Sequence, residues 1–166
     1  LLATNSINES TNASLAATPG PVDLAVVAVP AGAVLGVVQD AIDKEVHGLV
    51  VLTAGFSEVG DHAGQDELRD LARGNGLRLI GPNCIGLISS QTHLALSVNA
   101  VLENSDIKPG PITVVSQSGS MMGGLLSRGL GRGMGFSKLV SVGNESDIGV
   151  GEFADMLVDD PHTGQI

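Results

Sequence analysis

The stretch VDLAVVAVPAGAVLGVVQDAIDKEV, residues 22–46, contains the two periodicities that decide the fold. Its first part, Val22 to Val29, is a continuous apolar run rich in β-branched residues, which is typical of a strand covered on both faces. Pro30 ends this run. From Ala33 to Val46 the apolar side chains recur every three or four residues, which places them on one face of a helix. The stretch therefore predicts a strand followed by a helix.

The same order repeats along the chain. Apolar runs at Gly48–Thr53 and Leu77–Ile80 predict two more strands, and the segment Asp66–Arg73 predicts a helix between them. Three strands joined by helical crossovers require a parallel sheet, and such crossovers are nearly always right-handed. A second α/β unit follows, with predicted strands and helices in the order strand 111–117, helix 120–130, strand 137–143 and helix 150–158. The sequence therefore predicts an α/β protein with two parallel sheets.

The composition between these units predicts where they are joined. Residues 89–110 follow neither periodicity, and ENSDIKPG, residues 103–110, is typical of a polar linker. We therefore predict a first domain over residues 1–98, a linker over 99–110 and the start of a second domain over 111–166.

The charge balance excludes several classes of partner and location. The chain of 166 residues has 18 acidic and 8 basic residues and a net charge of −10, which disfavours binding to nucleic acid or to an anionic membrane. A single cysteine cannot form an internal disulfide, and no apolar run approaches the roughly 20 residues that a membrane span needs. We expect a globular protein of the cytoplasm.

Every predicted strand ends in a glycine-containing loop. These loops are VPAG, TAGFSEVG, GPNCIG, SQSGS and SVGNESDIG, in chain order. In parallel sheets, ligands bind beyond the carboxyl ends of the strands. A single loop of this kind is most often an ordinary turn, but five at one edge predict a binding site.

The fourth of these loops has the features of an anion site. SQSGSMM, residues 116–122, ends a strand and opens a helix, so Ser118 or Ser120 can cap the helix while Gly119 lets an anion approach. We expect phosphate to bind there, to the N–H groups of Gly119, Ser120 and Met121. The loop lacks the G-K-[ST] of a P-loop, so it does not match that nucleotide-binding motif. The series GLGRGMG, residues 129–135, has the wrong spacing and context for a dinucleotide-binding motif.

The histidines, the cysteine and the arginines give weaker evidence of a functional site. The four histidines lack ligand spacing, so we expect no metal site. Cys84 has no base near it in sequence and is more typical of a packing residue than of a nucleophile. We expect Arg128 and Arg132 on a solvated helix face, and we expect core positions on that helix for Met121, Met122, Leu125 and Leu126.

Taken together, the loops resemble those of a known family. VDLAVVAVPA, LVVLTAGFSEVG, RLIGPNCIGLI, VVSQSGS, GFSKLVSVGNESDI and DDPHTGQI occur in that order. They resemble the α-subunit-like region of nucleoside-diphosphate-forming acyl-CoA synthetases, relatives of succinyl-CoA synthetase that include the ADP-forming acetyl-CoA synthetases. The resemblance runs from about Ser14 to Ile166.

The resemblance implies a fold and a set of site residues. It implies a Rossmann-like CoA-binding domain followed by the start of a flavodoxin-like domain. It further implies that Pro30 and Phe56 flank the CoA, and that Cys84 is a substrate-site residue and not a covalent nucleophile. The implied CoA-binding residues are Val29, Pro30, Ala31, Thr53, Ala54, Gly55, Phe56, Asn83 and Cys84, and the implied phosphate-binding residues are Ser118, Gly119, Ser120 and Met121.

The resemblance also implies a reaction. Members of the family convert acyl-CoA, a nucleoside diphosphate and phosphate into acid, CoA and the triphosphate, through an acyl phosphate and a phosphohistidine. An ATP-grasp subunit or fused domain would supply ATP or ADP with Mg²⁺, and the complete enzyme would be an oligomer. We expect the phosphohistidine beyond Ile166 and the first strand of the CoA-binding domain before Leu1, so that these residues alone would be inactive.

Several alternatives stay open at this point. The acyl group, and ADP versus GDP, are undetermined. A lysine acetyltransferase can carry such a region for regulation, and a flavodoxin-like phosphate-binding module without CoA would share the helix N-terminus.

Overall fold

A computed structural model describes residues 2–3, 14–99 and 107–166, which form two α/β units. The first unit alternates strands and helices as the periodicities predict. Its elements are β1 (Leu2–Ala3), β2 (Leu24–Val27), α1 (Ala31–Asp43), β3 (Gly48–Val51), a short 3-10 helix (Ser57–Val59), α2 (His62–Gly74) and β4 (Arg78–Ile80). The remaining elements are β5 (Gly86–Ser89), β6 (Leu94–Ser97), β7 (Pro109–Ser116), α3 (Gly119–Leu130), β8 (Phe136–Ser141) and α4 (Val150–Val158).

The first sheet has the order β1-β2-β3-β4. Strands β2, β3 and β4 are parallel, with Val26 opposite Val50 and Val50 opposite Ile80, while β1 is antiparallel to β2. The predicted parallel arrangement of the three crossover-linked strands is therefore confirmed.

The second sheet has the order β6-β5-β8-β7 and is mixed. Strands β7 and β8 are parallel, but β5 is antiparallel to both β6 and β8. The expectation of a purely parallel second sheet is wrong, because β5 and β6 form a hairpin that needs no crossover helix. This hairpin lies within residues 1–98, so part of the predicted first domain pairs with the second sheet. The predicted linker falls mainly on residues 100–106, outside the described residues, and the domain boundaries stay a prediction.

Helices α1 and α2 cover one face of the first sheet. Val34, Val38 and Ala41 of α1 and Leu68 and Ala72 of α2 are completely buried. The three- and four-residue spacing of these side chains places them on one stripe of each helix, as the sequence predicts.

The second unit covers the opposite face of the first sheet. Val26, Val50 and Ile80 alternate along the strands with the residues that face the helices, and they pack against Val140 and Val142 of the second unit. The apolar, β-branched strands of the first sheet are therefore buried on both faces. A third core lies between α3 and the second sheet, around Met122, Leu126, Phe136, Leu139 and Ile88.

None of the helices among the described residues is both long enough and apolar enough to cross a bilayer. The cytoplasmic location stays a prediction.

Candidate functional site

The loops after β2 and β3 are joined by one threonine. The Thr53 hydroxyl donates a hydrogen bond to the Val29 carbonyl at 2.7 Å and lies 3.3 Å from the Val29 backbone nitrogen, which donates to it. Gly55 has φ of +113°, and a Cβ on it would lie 3.0 Å from the Cβ of Ala31. Only glycine adopts that conformation readily, and because it has no Cβ the two loops can lie this close together.

The loop after β4 lies beside them. The Asn83 N–H donates to the Thr53 carbonyl at 2.8 Å, and Asn83 has φ of +58°, a left-handed conformation that asparagine tolerates. The structure thus brings the three loops predicted to bind CoA together at one edge of the first sheet. Among the nine predicted CoA-binding residues, Pro30, Ala54 and Asn83 are exposed.

Cys84 is buried and points its thiol at the protein backbone. Its Sγ donates to the Val51 carbonyl at 3.3 Å, and the residue is 4% exposed. Burial raises the pKa of the thiol to about 11, despite backbone hydrogen bonds from Gly86 and Cys84 that lower it. Because the thiolate is the nucleophilic form, this cysteine is poorly suited to covalent chemistry at neutral pH.

The Phe56 side chain does not form the expected wall beside a ligand. It is 4% exposed and belongs to the core between the first sheet and its helices. An apolar residue in a glycine-rich loop can serve either purpose, and here the ring packs into the core. The Phe56 backbone is engaged within its own loop, since its N–H donates to Glu58 and its carbonyl accepts from the N–H groups of Val59 and Asp61, so the predicted contact of Phe56 with CoA stays a prediction.

A carboxylate from the same loop binds the N–H groups of Gly55 and Phe56. Glu58 accepts hydrogen bonds from both, at 3.2 Å for Phe56, and from the side-chain amide of Asn144. Burial alone would raise the pKa of Glu58, but the Gly55 N–H, the Asn144 amide and further backbone hydrogen bonds bring it below its ordinary value. Glu58 is therefore an anion at neutral pH.

Asn144 lies in the loop after β8, so this contact joins the two units. Its amide nitrogen also donates to Gln65 Oε1 at 2.9 Å, and its amide oxygen accepts from Asn83 Nδ2 at 3.1 Å. Its backbone N–H donates to the Pro82 carbonyl at 2.9 Å. No local pattern predicted a role for Glu58, Gln65 or Asn144, although Glu58 and Asn144 lie in two of the glycine-containing loops that follow the strands.

The N-terminus of α3 is capped as the sequence predicts. Ser118 is the N-cap, and its hydroxyl accepts from the Met121 N–H at 3.2 Å and lies 3.1 Å from the Ser120 hydroxyl. A cavity of about 330 Å³ lies along one face of α3, from its N-terminus to Arg128. Its lining residues are Ser118, Ser120, Met121, Gly124, Leu125 and Arg128.

Two of the four apolar residues expected in the α3 core are on the surface. Met122 and Leu126 are completely buried, but the exposed fractions of Met121 and Leu125 are 59% and 46%. Residues at i and i+4 share a helix face, so Met121 and Leu125 form a second face that turns away from the core. That face lines the cavity together with Arg128, which is exposed as expected.

Gly119 lies against the loop that follows β4. A Cβ on Gly119 would lie 2.5 Å from Cγ2 of Ile85, two residues after Asn83. The expected reason for glycine, close approach of an anion, is therefore joined by a packing requirement. This contact places the N-terminus of α3 next to the loop of Asn83 and Cys84.

Ion pairs around one buried carboxylate hold the loop after β8 on the first unit. The Asp147 carboxylate is completely buried and accepts hydrogen bonds from Arg73, from Arg78 at 2.9 Å and from the Leu79 N–H at 2.8 Å. Arg78 also pairs with Glu152 of α4 at 2.8 Å. Four charged groups thus fix the relative position of the two units.

No metal cluster is evident in the part of the chain that the structure describes. Within residues 14–99 and 107–166, no three His, Cys, Asp or Glu side chains are grouped so as to hold a metal ion.

Comparison with known protein families matches both units. Residues 4–90 match the CoA binding domain family, and residues 109–166 match the succinyl-CoA ligase like flavodoxin domain. The first match covers more than half of the chain.

Curated relatives and solved structures agree with these matches. The chain is 37% identical over 142 residues to an ADP-forming acetate–CoA ligase of Methanocaldococcus jannaschii, covering 86% of this chain and 20% of that protein. It is 36% identical to the α subunit of ADP-forming acetate–CoA ligase II of Pyrococcus furiosus, covering 84% of this chain and 29% of that subunit.

A solved acetyl-coenzyme A synthetase of Candidatus Korarchaeum cryptofilum, in complex with phosphate and ADP, superposes with a TM-score of 0.88. It is 32% identical, and the match covers 96% of this chain and 34% of that one. The chain therefore spans less than two thirds of the proteins it resembles.

Proposed function

The chain belongs to the CoA-binding domain family and continues into a succinyl-CoA-ligase-like flavodoxin domain, and on this basis we propose that it forms the CoA-binding region of a nucleoside-diphosphate-forming acyl-CoA ligase. The observation that carries the proposal is the hydrogen-bonded group of loops around Val29, Thr53 and Asn83. These loops lie at the carboxyl edge of a parallel sheet, where ligands of such sheets bind.

The chemistry of this edge suits CoA. Pro30 and Ala54 offer a small exposed apolar surface beside backbone N–H groups, a combination that fits the pantetheine arm and its amides. Backbone donors act at short range, so the net charge of −10 does not oppose an anionic ligand there. We assign CoA contacts to the exposed surfaces of all three loops, with Phe56 supporting them from the core.

The N-terminus of α3 suits a phosphate group. Uncapped N–H groups and the helix dipole favour an anion there, and the Ser120 hydroxyl is beside them. Its contact with the Asn83 loop, through Gly119 and Ile85, would place phosphate next to the reactive end of CoA. Because the Met121 N–H donates to the Ser118 hydroxyl, we assign phosphate binding to the N–H groups of Gly119 and Ser120 and to the Ser120 hydroxyl, with Ser118 and Met121 forming the cap beside them.

The complete enzyme would convert acyl-CoA, ADP or GDP and phosphate into acid, CoA and the triphosphate. We assign no catalytic side chain to the residues of this chain, and we place the phosphohistidine, ATP or ADP and Mg²⁺ on other segments or on an ATP-grasp partner. Such a partner can be separate or fused, since one of the relatives is a subunit and another is a longer single protein.

ATP formation tests this function directly. The complete protein, with its partner if that is separate, should form ATP from acetyl-CoA, ADP and phosphate and should form none when phosphate is omitted. CoA binding without ATP formation from any of several acyl-CoA substrates would favour the regulatory region of a lysine acetyltransferase. Phosphate binding without CoA binding would favour the flavodoxin-like module.

A further inference from the structure

We propose that Asn144 is a positioning residue for the CoA loops, acting through the carboxylate of Glu58. The proposal rests on the proposed CoA site and extends it to the second unit. Asn144 would not touch CoA. It would hold Glu58 in place, and Glu58 in turn would fix the backbone of Gly55 and Phe56.

The Asn144 side chain joins several loops. The Asn144 amide nitrogen donates to both Glu58 and Gln65, and its oxygen accepts from Asn83. Gln65 in turn accepts from the Ser57 N–H at 3.3 Å. One amide group therefore links the loops after β3, β4 and β8.

The groups around position 144 match the donors and the acceptor of an amide. An asparagine side chain offers donors on one side and an acceptor on the other. Here the donors meet two acceptor oxygens, from Glu58 and Gln65, and the acceptor meets the donor of Asn83. Neither aspartate, which lacks donors, nor serine, which is shorter, can reproduce these three contacts.

Glu58 fixes the backbone conformation of the loop that contains Gly55 and Phe56. Gly55 has φ of +113°, and the N–H groups of Gly55 and Phe56 both donate to Glu58. A carboxylate that accepts two adjacent N–H groups fixes the peptide plane between them. If Asn144 were lost, Glu58 would lose its tie to the second unit, and the loop that we assign to CoA would gain freedom that ligand binding must then remove.

A complementary pair of variants provides a sharp test. In Asn144→Asp, two carboxylates face each other and repel, so the loop contact breaks. In Glu58→Gln, the amide oxygen can keep the Gly55 and Phe56 N–H groups, but its nitrogen faces the Asn144 donor. In the double variant, the glutamine amide introduced at position 58 can donate to the carboxylate introduced at position 144, which restores this one contact with its polarity reversed but not the contact with Gln65 Oε1, which needs a donor at position 144.

Calorimetric titration of CoA into the complete protein measures the outcome. We expect each single variant to raise the Kd for CoA by about fivefold or more. The double variant should have a Kd at least about twofold below that of Asn144→Asp without reaching the wild-type value, because the Gln65 contact is not restored. Asn75→Asp, the same exchange at the C-cap of α2 and remote from these loops, should stay within about twofold. Melting temperatures of all variants separate loss of affinity from loss of fold.

Four results would overturn the proposal. If both single variants raised the Kd and their effects simply multiplied in the double variant, the two side chains would act independently of each other. If Glu58→Gln tightened CoA binding, the variants would act through net charge and not through this contact. If the wild-type protein bound CoA and both single variants had the same Kd as wild type, the positioning role would be refuted while the proposed function stayed intact. A wild-type protein that does not bind CoA would overturn both the positioning role and the proposed function.

Discussion

Asp147, in the loop after β8, accepts a hydrogen bond at 2.8 Å from the backbone N–H of Leu79 in β4. The same carboxylate binds Arg73 and Arg78 and is completely buried. A residue of the second unit thus completes the hydrogen bonding of a strand in the first. The two units are joined by polar contacts at the strand ends as well as by the apolar core between the sheets.

Removing the charge of Asp147 should therefore destabilise the protein. Asp147→Asn keeps the shape but weakens the contacts with both arginines, and we expect the free energy of unfolding to fall by about 1–3 kcal/mol. Urea unfolding measures the difference. Asp70→Asn is the matched control, because Asp70 pairs with Arg69 on the surface, and it should change stability little. Equal losses in the two variants would show that the buried contact has no special role.

The same contact predicts a loss of stability in acid. Burial raises the pKa of Asp147, but hydrogen bonds from Arg78, Leu79 and Arg73 outweigh it and leave the pKa below its ordinary value. The stabilisation is then complete above the ordinary aspartate pKa of about 4 and is lost as pH falls through the lower folded-state value. The stability difference between wild type and Asp147→Asn should therefore shrink as the pH falls from about 5 to about 2. A difference that stayed constant over this range would contradict the assignment.

Thr53 should affect CoA binding more than stability. Thr53→Val keeps the shape and removes both hydrogen bonds to Val29, so the loops after β2 and β3 lose their tie. We expect the Kd for CoA to rise by about two- to tenfold. Thr163→Val is the control, since it loses its hydrogen bonds to Thr113 and Asp160 in another part of the second unit. It should lower the melting temperature without changing the Kd, and a Kd unchanged in Thr53→Val as well would contradict the role of this tie.

Ser120 offers a variant in which stability and phosphate binding should move in opposite directions. A carboxylate in the first turn favours the helix, so Ser120→Asp should gain about 0.3–1 kcal/mol of stability. The same charge would repel phosphate and raise its KM by about tenfold or more in the complete enzyme. Ser120→Asn has nearly the same shape without the charge and should show much smaller changes. An unchanged KM in Ser120→Asp would place phosphate elsewhere.

Most of the fold could be predicted because its signals are local. The strand of residues 22–29 and the helix after it are encoded in periodicities that a short window contains, and α4 begins and ends where predicted. The hairpin of β5 and β6 was missed because its strands have four residues each and β5 joins the second sheet by pairing with β8, far along the chain.

The site was only partly predictable for the same reason. Ligands bind beyond the carboxyl ends of parallel strands, and the loops found by this principle do lie together in the structure. Glu58 and Asn144, however, are 86 residues apart, and no local pattern shows that they meet. Phe56 was misjudged because an apolar residue in a loop carries no mark of whether it faces a ligand or the core. Only the packed structure distinguishes these two possibilities.

Hydrogen–deuterium exchange of the complete protein with and without CoA tests the central claim most directly. CoA should slow exchange in the peptides that cover Val29–Ala31, Thr53–Phe56 and Asn83, the three loops joined by hydrogen bonds at the carboxyl edge of the first sheet. Peptides from the helix faces remote from this edge should exchange at unchanged rates. If CoA bound and left the exchange of all three loops unchanged, the assignment of the CoA site to this edge would be wrong.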